Sequence, residues 1–116
     1  MKKILIVDDE KRITRAFEDV FAVFYEVFCA NDGKKGIELI RENKPELIVL
    51  DWRLKGQLEG KDVLLLSKRE YPSIPVYVVT ASTLEVKEIQ SLGADACFLK
   101  PCADLLEEIK KVLPPD

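Results

Sequence analysis

Five short apolar runs, separated by segments of helical period, constrain this 116-residue chain more than any other feature. They lie at Lys3–Val7, Tyr25–Ala30, Leu47–Leu50, Val76–Val79 and Ala96–Leu99. The first, third and fourth are almost unbroken Val, Ile and Leu, the pattern of strands covered on both faces, as in parallel sheets. The intervening segments predict helices over Arg12–Phe24, Lys34–Glu42, Lys61–Glu70, Leu84–Leu92 and Asp104–Leu113. In the first of these Ile13, Ala16, Phe17, Val20, Phe21 and Phe24 share one side. Gly93 is a natural stop for the fourth helix, and Pro114-Pro115 ends the fifth. Asn31-Asp32-Gly33 and Pro72-Ser73-Ile74-Pro75 mark loops. Parallel strands need crossover helices, and right-handed crossovers place helices on both faces. The expected fold is therefore a doubly wound (βα)5 α/β sandwich.

The length fits one domain, over residues 1–113, with 114–116 a tail or the start of a linker. Hydrophobic residues make up 47% and charged residues 34%, a composition that folds rather than stays disordered. A net charge of −3 argues against a dedicated nucleic-acid surface. No apolar stretch is long enough to cross a bilayer, and the N-terminal run is too short for a signal peptide. No membrane association and a cytoplasmic location are the default. Cys29, Cys97 and Cys102 are odd in number and match no zinc or redox spacing, so they read as buried or half-buried thiols in a reducing compartment. The chain has no histidine, which excludes Ser-His and Cys-His catalysis, histidine-based zinc sites and a phosphohistidine donor role.

Chemistry gathers at the ends of the runs. Asp8-Asp9-Glu10 closes the first, Asp51 the third, Thr80 the fourth, and Lys100 follows the fifth. In doubly wound sheets ligands bind beyond the carboxyl ends of the strands, where strand order reverses. Topology thus brings residues distant in sequence to one rim. Taken singly, each has an ordinary reading: acids favour a helix N-terminus, threonine suits a strand, and lysine a loop. Together they form a set. Two carboxylates about 4 Å apart repel by roughly 4 kcal/mol at an effective dielectric near 20, so a cluster of them calls for a cation. Magnesium suits it, accepting a few carboxylate oxygens and favouring phosphate as a further ligand.

These motifs, in this order, resemble the receiver domain of response regulators in two-component signalling. The resemblance spans essentially the whole chain. It rests on Ile4-Leu5-Ile6-Val7-Asp8-Asp9-Glu10, Leu47-Ile48-Val49-Leu50-Asp51, Val79-Thr80-Ala81, Gly93-Ala94-Asp95 and Leu99-Lys100-Pro101. It implies a flavodoxin-like sheet of order 2-1-3-4-5 and a cis peptide before Pro101. It also implies a role for each site residue. Asp51 would accept a phosphoryl group from a phosphohistidine of a sensor histidine kinase or phosphotransfer protein. Asp8, Asp9, Asp51 and the backbone carbonyl of Arg53 would ligate Mg2+. Thr80 would bind the phosphoryl group after modification, and Lys100 would neutralise it. Phosphorylation would alter the surface of the fourth helix, fifth strand and fifth helix, where an output partner or a second copy in a homodimer would dock. The resemblance implies a switch that supports its own phosphorylation and dephosphorylation, not a free-standing enzyme, and no nucleic-acid contact through this domain.

The chain departs from the family pattern in two places. Cys97 stands where relatives commonly carry Tyr or Phe, and Phe98 should face the opposite side of the sheet. After Asp51, Lys55 replaces a usual proline and Gly60 comes one residue late, as if one residue were inserted. Arg53 and Ser82, two residues beyond Asp51 and Thr80, should flank the pocket, and Arg53 is long enough to reach a phosphoryl group and tune its lifetime. Gly33-Lys34-Lys35-Gly36 lacks a phosphate-loop ending and is expected to start a helix. Trp52 is expected to be a partly exposed packing residue. Two other readings stay open: a receiver-like interaction module working without phosphate, and a magnesium phosphatase on a related α/β fold.

Overall fold

The apolar runs are continuous because helices cover both faces of the sheet they build. In the computed structural model, which describes residues 1–116, β1 (Lys3–Val7), β2 (Glu26–Ala30), β3 (Leu47–Asp51), β4 (Val76–Thr80) and β5 (Ala96–Leu99) form one parallel sheet. Its order is β2-β1-β3-β4-β5. Ile4, Ile6, Leu47, Val49, Tyr77 and Val79 face one side, where they pack with Phe21, Tyr25, Leu105 and Ile109. Leu5, Val7, Ile48, Leu50, Val76 and Val78 face the other, against Ile37, Ile40, Val63, Leu64 and Ile89. Helices α1 (Lys11–Phe21) and α5 (Leu105–Val112) thus cover the first face. Helices α2 (Gly33–Asn43), α3 (Gly60–Glu70) and α4 (Val86–Ser91) cover the second. Each such side chain buried completely contributes about 1.5–3 kcal/mol. The expected doubly wound sandwich and its strand order are what the chain adopts, and no helix is long and apolar enough to cross a membrane.

Several boundaries differ from the sequence expectation, each for a packing reason. Helix α1 stops at Phe21, although apolar spacing continues to Phe24. The Phe21 carbonyl accepts from both Phe24 and Tyr25 N–H groups, a tight turn that sends Tyr25 into the core. The Tyr25 hydroxyl then donates to the Leu113 carbonyl at 2.6 Å, tying the end of α5 to the start of β2. The predicted fourth helix is shorter, because Thr83–Glu85 forms a 3-10 turn before α4. Trp52 is buried, 7% exposed, and packs with Leu54 and Val63 in the core rather than standing at the surface. As expected, Phe98 and Cys97 face opposite sides. Phe98 lies against Tyr77 with ring centroids 5.6 Å apart, while Cys97 packs on the α2–α4 side. The Gly33–Gly36 stretch begins α2, with the Asp32 carboxylate accepting from Lys35 N–H at 2.7 Å.

One glycine fixes how closely α3 seats on the end of β3. A Cβ at Gly60 would fall 2.6 Å from the Trp52 carbonyl oxygen and 2.8 Å from that of Asp51. Both neighbours are backbone, so neither can rotate away. Gly60→Ala should destabilise the domain by about 1–3 kcal/mol, as overpacking does. A urea denaturation midpoint equal to that of the wild type would contradict this.

Candidate functional site

Strand register sets the site. Val7 pairs with Leu50 across β1 and β3, so the next residues, Asp8 and Asp51, stand side by side where the sheet order reverses. Thr80 pairs with Leu99 across β4 and β5, which brings Lys100 to the same rim. Asp8, Asp51 and Thr80 are 3%, 5% and 1% exposed. Lys100 Nζ lies 2.9 Å from Asp51 Oδ1 and 3.8 Å from Asp8 Oδ2. Of the residues that the sequence placed on one rim, Asp8, Asp51 and Lys100 are thus brought together, with Asp9 half-buried and Glu10 exposed beside Asp8, and Thr80 at the end of the strand next to Asp51.

Each member is held by its surroundings. Asp8 Oδ1 accepts from Glu10 N–H at 2.9 Å, which leaves Oδ2 to face Lys100. Asn31, which the sequence reading took only as a loop residue, steadies the turn beneath it. Its amide donates to the Asp8 carbonyl at 2.9 Å and to Thr14 Oγ1 at 3.2 Å. The Lys100 N–H donates to the Thr80 carbonyl at 2.9 Å, and the Lys100–Pro101 peptide is cis.

The electrostatics are those of a negative pocket short of positive charge. Burial pushes the Asp8 carboxyl up to about 6; its bond from Glu10 N–H and the charge of Lys100 work against the rise, while Asp51 and Asp9 add to it. Asp51 is likewise raised by burial, against the pull of the Lys100 ammonium. For Lys100 burial disfavours the charge, yet the bond to Asp51 and the nearby Asp8 outweigh it, and the ammonium is held above its ordinary range. One lysine does not balance this set. Asp8, Asp9 and Glu10 each offer a carboxylate oxygen within 4.8 Å of the others. All-oxygen donors in that arrangement suit a hard divalent cation.

Thr80 is turned another way. It continues the face of Val76 and Val78, toward α4, and its hydroxyl donates to Glu85 Oε1 at 2.8 Å while accepting from Ser82 N–H at 3.3 Å. Glu85 Oε2 lies 2.7 Å from the Arg53 guanidinium. The Arg53 side chain thus reaches across to Glu85 and not over Asp51. Ser82 uses its hydroxyl to accept from Leu84 N–H at 3.2 Å, capping the 3-10 turn. Glu85 was not singled out from the sequence, where an acid just ahead of a helix reads as dipole compensation.

The chain as a whole matches known proteins in sequence and fold. A family model described as the response regulator receiver domain matches residues 4–112. A CheY-like receiver domain protein from Methanospirillum hungatei is 31% identical with a TM-score of 0.90, covering 97% of this chain and 94% of that one. A Francisella response regulator receiver domain is 29% identical, with a TM-score of 0.86 and coverages of 97% and 96%. The response regulator TrrA from Thermotoga maritima, solved in complex with Mg2+ and BeF, is 25% identical, with a TM-score of 0.86 and coverages of 97% and 99%.

The state of Asp8 has a measurable consequence. Its pKa is raised from 3.8 to about 6 in the folded chain, so over that interval the folded state keeps a proton that the unfolded chain has lost. The stability this group contributes is full below its unfolded value and is lost as pH rises through its folded one. Near neutral pH and without divalent cation, Asp8→Asn should therefore melt above the wild type. Added Mg2+ should raise the wild-type melting temperature at neutral pH, by an increment that shrinks as pH falls below about 6, where protons compete for the carboxylate. An increment that does not change with pH would contradict the assignment.

Proposed function

The chain belongs to the response regulator receiver family, and from that premise we propose a phosphoacceptor switch in which Asp51 is the residue modified. The observation that carries this reading is the 2.9 Å contact between Lys100 Nζ and Asp51 Oδ1 at the floor of a buried acidic pocket. The donor would be a phosphohistidine of a sensor histidine kinase or phosphotransfer protein. Its three unpaired thiols suit a reducing compartment, which supports a cytoplasmic location.

The donor set of the pocket fits Mg2+. Asp8, Asp9, Asp51 and the Arg53 carbonyl would hold it, and bound there it would offset charge on the transferring oxygens. The chain's own residues account for the remaining chemistry. An Asp51 carboxylate oxygen forms the bond to phosphorus as the bond from phosphorus to the donor's imidazole nitrogen breaks, and that nitrogen keeps the electron pair. The transition state is loose and nearly in line, so positioning matters more than nucleophilic strength. Lys100 orients Asp51 beforehand and stays beside the phosphoryl oxygens afterwards. Its charge is maintained because two carboxylates face it. Thr80, one strand away, donates its hydroxyl to the new phosphoryl group. Attack of water on phosphorus then restores Asp51 and releases inorganic phosphate.

The readout would be a shift in the α4, β5 and α5 surface, where an output partner or a second copy docks. Moving such an equilibrium from 1:99 to 99:1 takes about 5.5 kcal/mol of differential stabilisation. Incubation with acetyl phosphate and Mg2+ should add one phosphoryl group to the wild type by intact-mass spectrometry, and none to Asp51→Asn. Equal labelling of the two proteins would move the acceptor elsewhere. No labelling of either would favour an interaction module that works without phosphate, and sustained turnover of small phosphate esters would favour a phosphatase.

A further inference from the structure

Thr80 has one hydroxyl proton, and a threonine that is to serve a phosphoryl group must have it free. Here that proton is already engaged. It points to Glu85 Oε1 at 2.8 Å, and the oxygen's lone pair takes the Ser82 N–H. The acceptor is ionised, which strengthens the bond over a neutral pair. Glu85 is also not a loose surface acid. Its side chain is only 18% exposed and its second oxygen is fixed 2.7 Å from the Arg53 guanidinium. A helix-start role does not account for it, because its carboxylate caps no N–H of α4.

Resting on the phosphoacceptor reading above, we infer that Glu85 is a positioning residue for Thr80: with Arg53 it holds the Thr80 hydroxyl away from Asp51 until a phosphoryl group displaces it. The signs of the charges favour the exchange. A phosphoryl group on Asp51 brings negative charge to the rim, repelling Glu85 and attracting Arg53, which lies two residues from the acceptor. Both members of the ion pair are driven apart, and the Thr80 O–H turns from the Glu85 carboxylate to donate to a phosphoryl oxygen. Glu85 closes the 3-10 turn that leads into α4, so its release moves the start of that helix. Burial, and then the Glu85 charge, raise the Cys97 thiol above its ordinary range. The small residue at the usual aromatic position thus feels the charge of the acid that does the holding.

The test has one arm that needs no phosphate. In free protein, methyl-labelled threonine NMR couplings should show Thr80 in a single side-chain rotamer in the wild type and averaging between rotamers in Glu85→Ala. In Glu85→Gln the amide oxygen still accepts, and the couplings should return toward the wild type. In the second arm, beryllium fluoride with Mg2+ is titrated and followed by fluorescence of Trp52, the chain's one tryptophan. Glu85→Ala should bind about tenfold more tightly, the effect of removing one charge-assisted competitor. In a Thr80→Ala background the same substitution should tighten binding much less, by the relief of charge repulsion alone. Unchanged Thr80 couplings in Glu85→Ala would overturn the inference. So would a tightening that persists undiminished without Thr80, since that would be repulsion acting alone. If the wild type fails to bind beryllium fluoride, the phosphoacceptor reading falls, and the Thr80 couplings still decide the role of Glu85.

Discussion

Burial of two carboxylates beside one lysine is the constraint on which the rest of this molecule turns. A parallel sheet covered on both faces has a dry interior, and the strand ends share it. Asp8 and Asp51 enter that environment because register places them at the same level of adjacent strands. The arrangement is unfavourable for folding alone, since burial raises both carboxyls and Lys100 offsets only part of the charge. Oxygen donors poised in this way are suited to receive a hard cation.

Much of this could be read from the chain. Strands buried on both faces leave a strong composition signal, and the acids at their ends stand out because a carboxylate interrupts an apolar run. The positions of Asp8, Asp51, Thr80 and Lys100 then follow from topology. What could not be read was set by contacts without a local period. Helix α1 ends early because the turn at Phe21 must deliver Tyr25 to the core, and no spacing rule contains that demand. Trp52 follows an acid at a strand end and reads as a partly exposed packing residue, yet the arrival of α3 at Gly60 closes over it. Glu85 reaches Thr80 across a loop, a relation that neither a strand nor a helix repeat would show.

The two halves of the site occupy different faces of the sheet. Asp51 continues the series Leu47 and Val49 toward α1 and α5, whereas Thr80 continues Val76 and Val78 toward α4. A change at Asp51 must therefore cross from one face to the other before it reaches α4. Side chains at the rim can make that crossing, because beyond the strand ends the sheet no longer separates the faces. Arg53 and Glu85 do so directly, joining the loop after β3 to the turn after β4 by an ion pair of 2.7 Å.

In relatives that carry an aromatic residue at the position of Cys97, movement of a large ring into a cavity could supply the second state. A thiol offers little volume to move, and Phe98 is committed to Tyr77 on the opposite face. For the proposed switch, bistability would then have to come from groups with two alternative partners. Glu85 can pair with Arg53 and Thr80, or lose both to a phosphoryl group. Arg53 and Thr80 each have the converse choice. Three polar residues with exchangeable partners would make a switch whose two states differ in charge pairing instead of packing. Such a switch is sensitive to ionic strength in proportion to its exposure, and the Arg53 end, 77% exposed, is its weaker link.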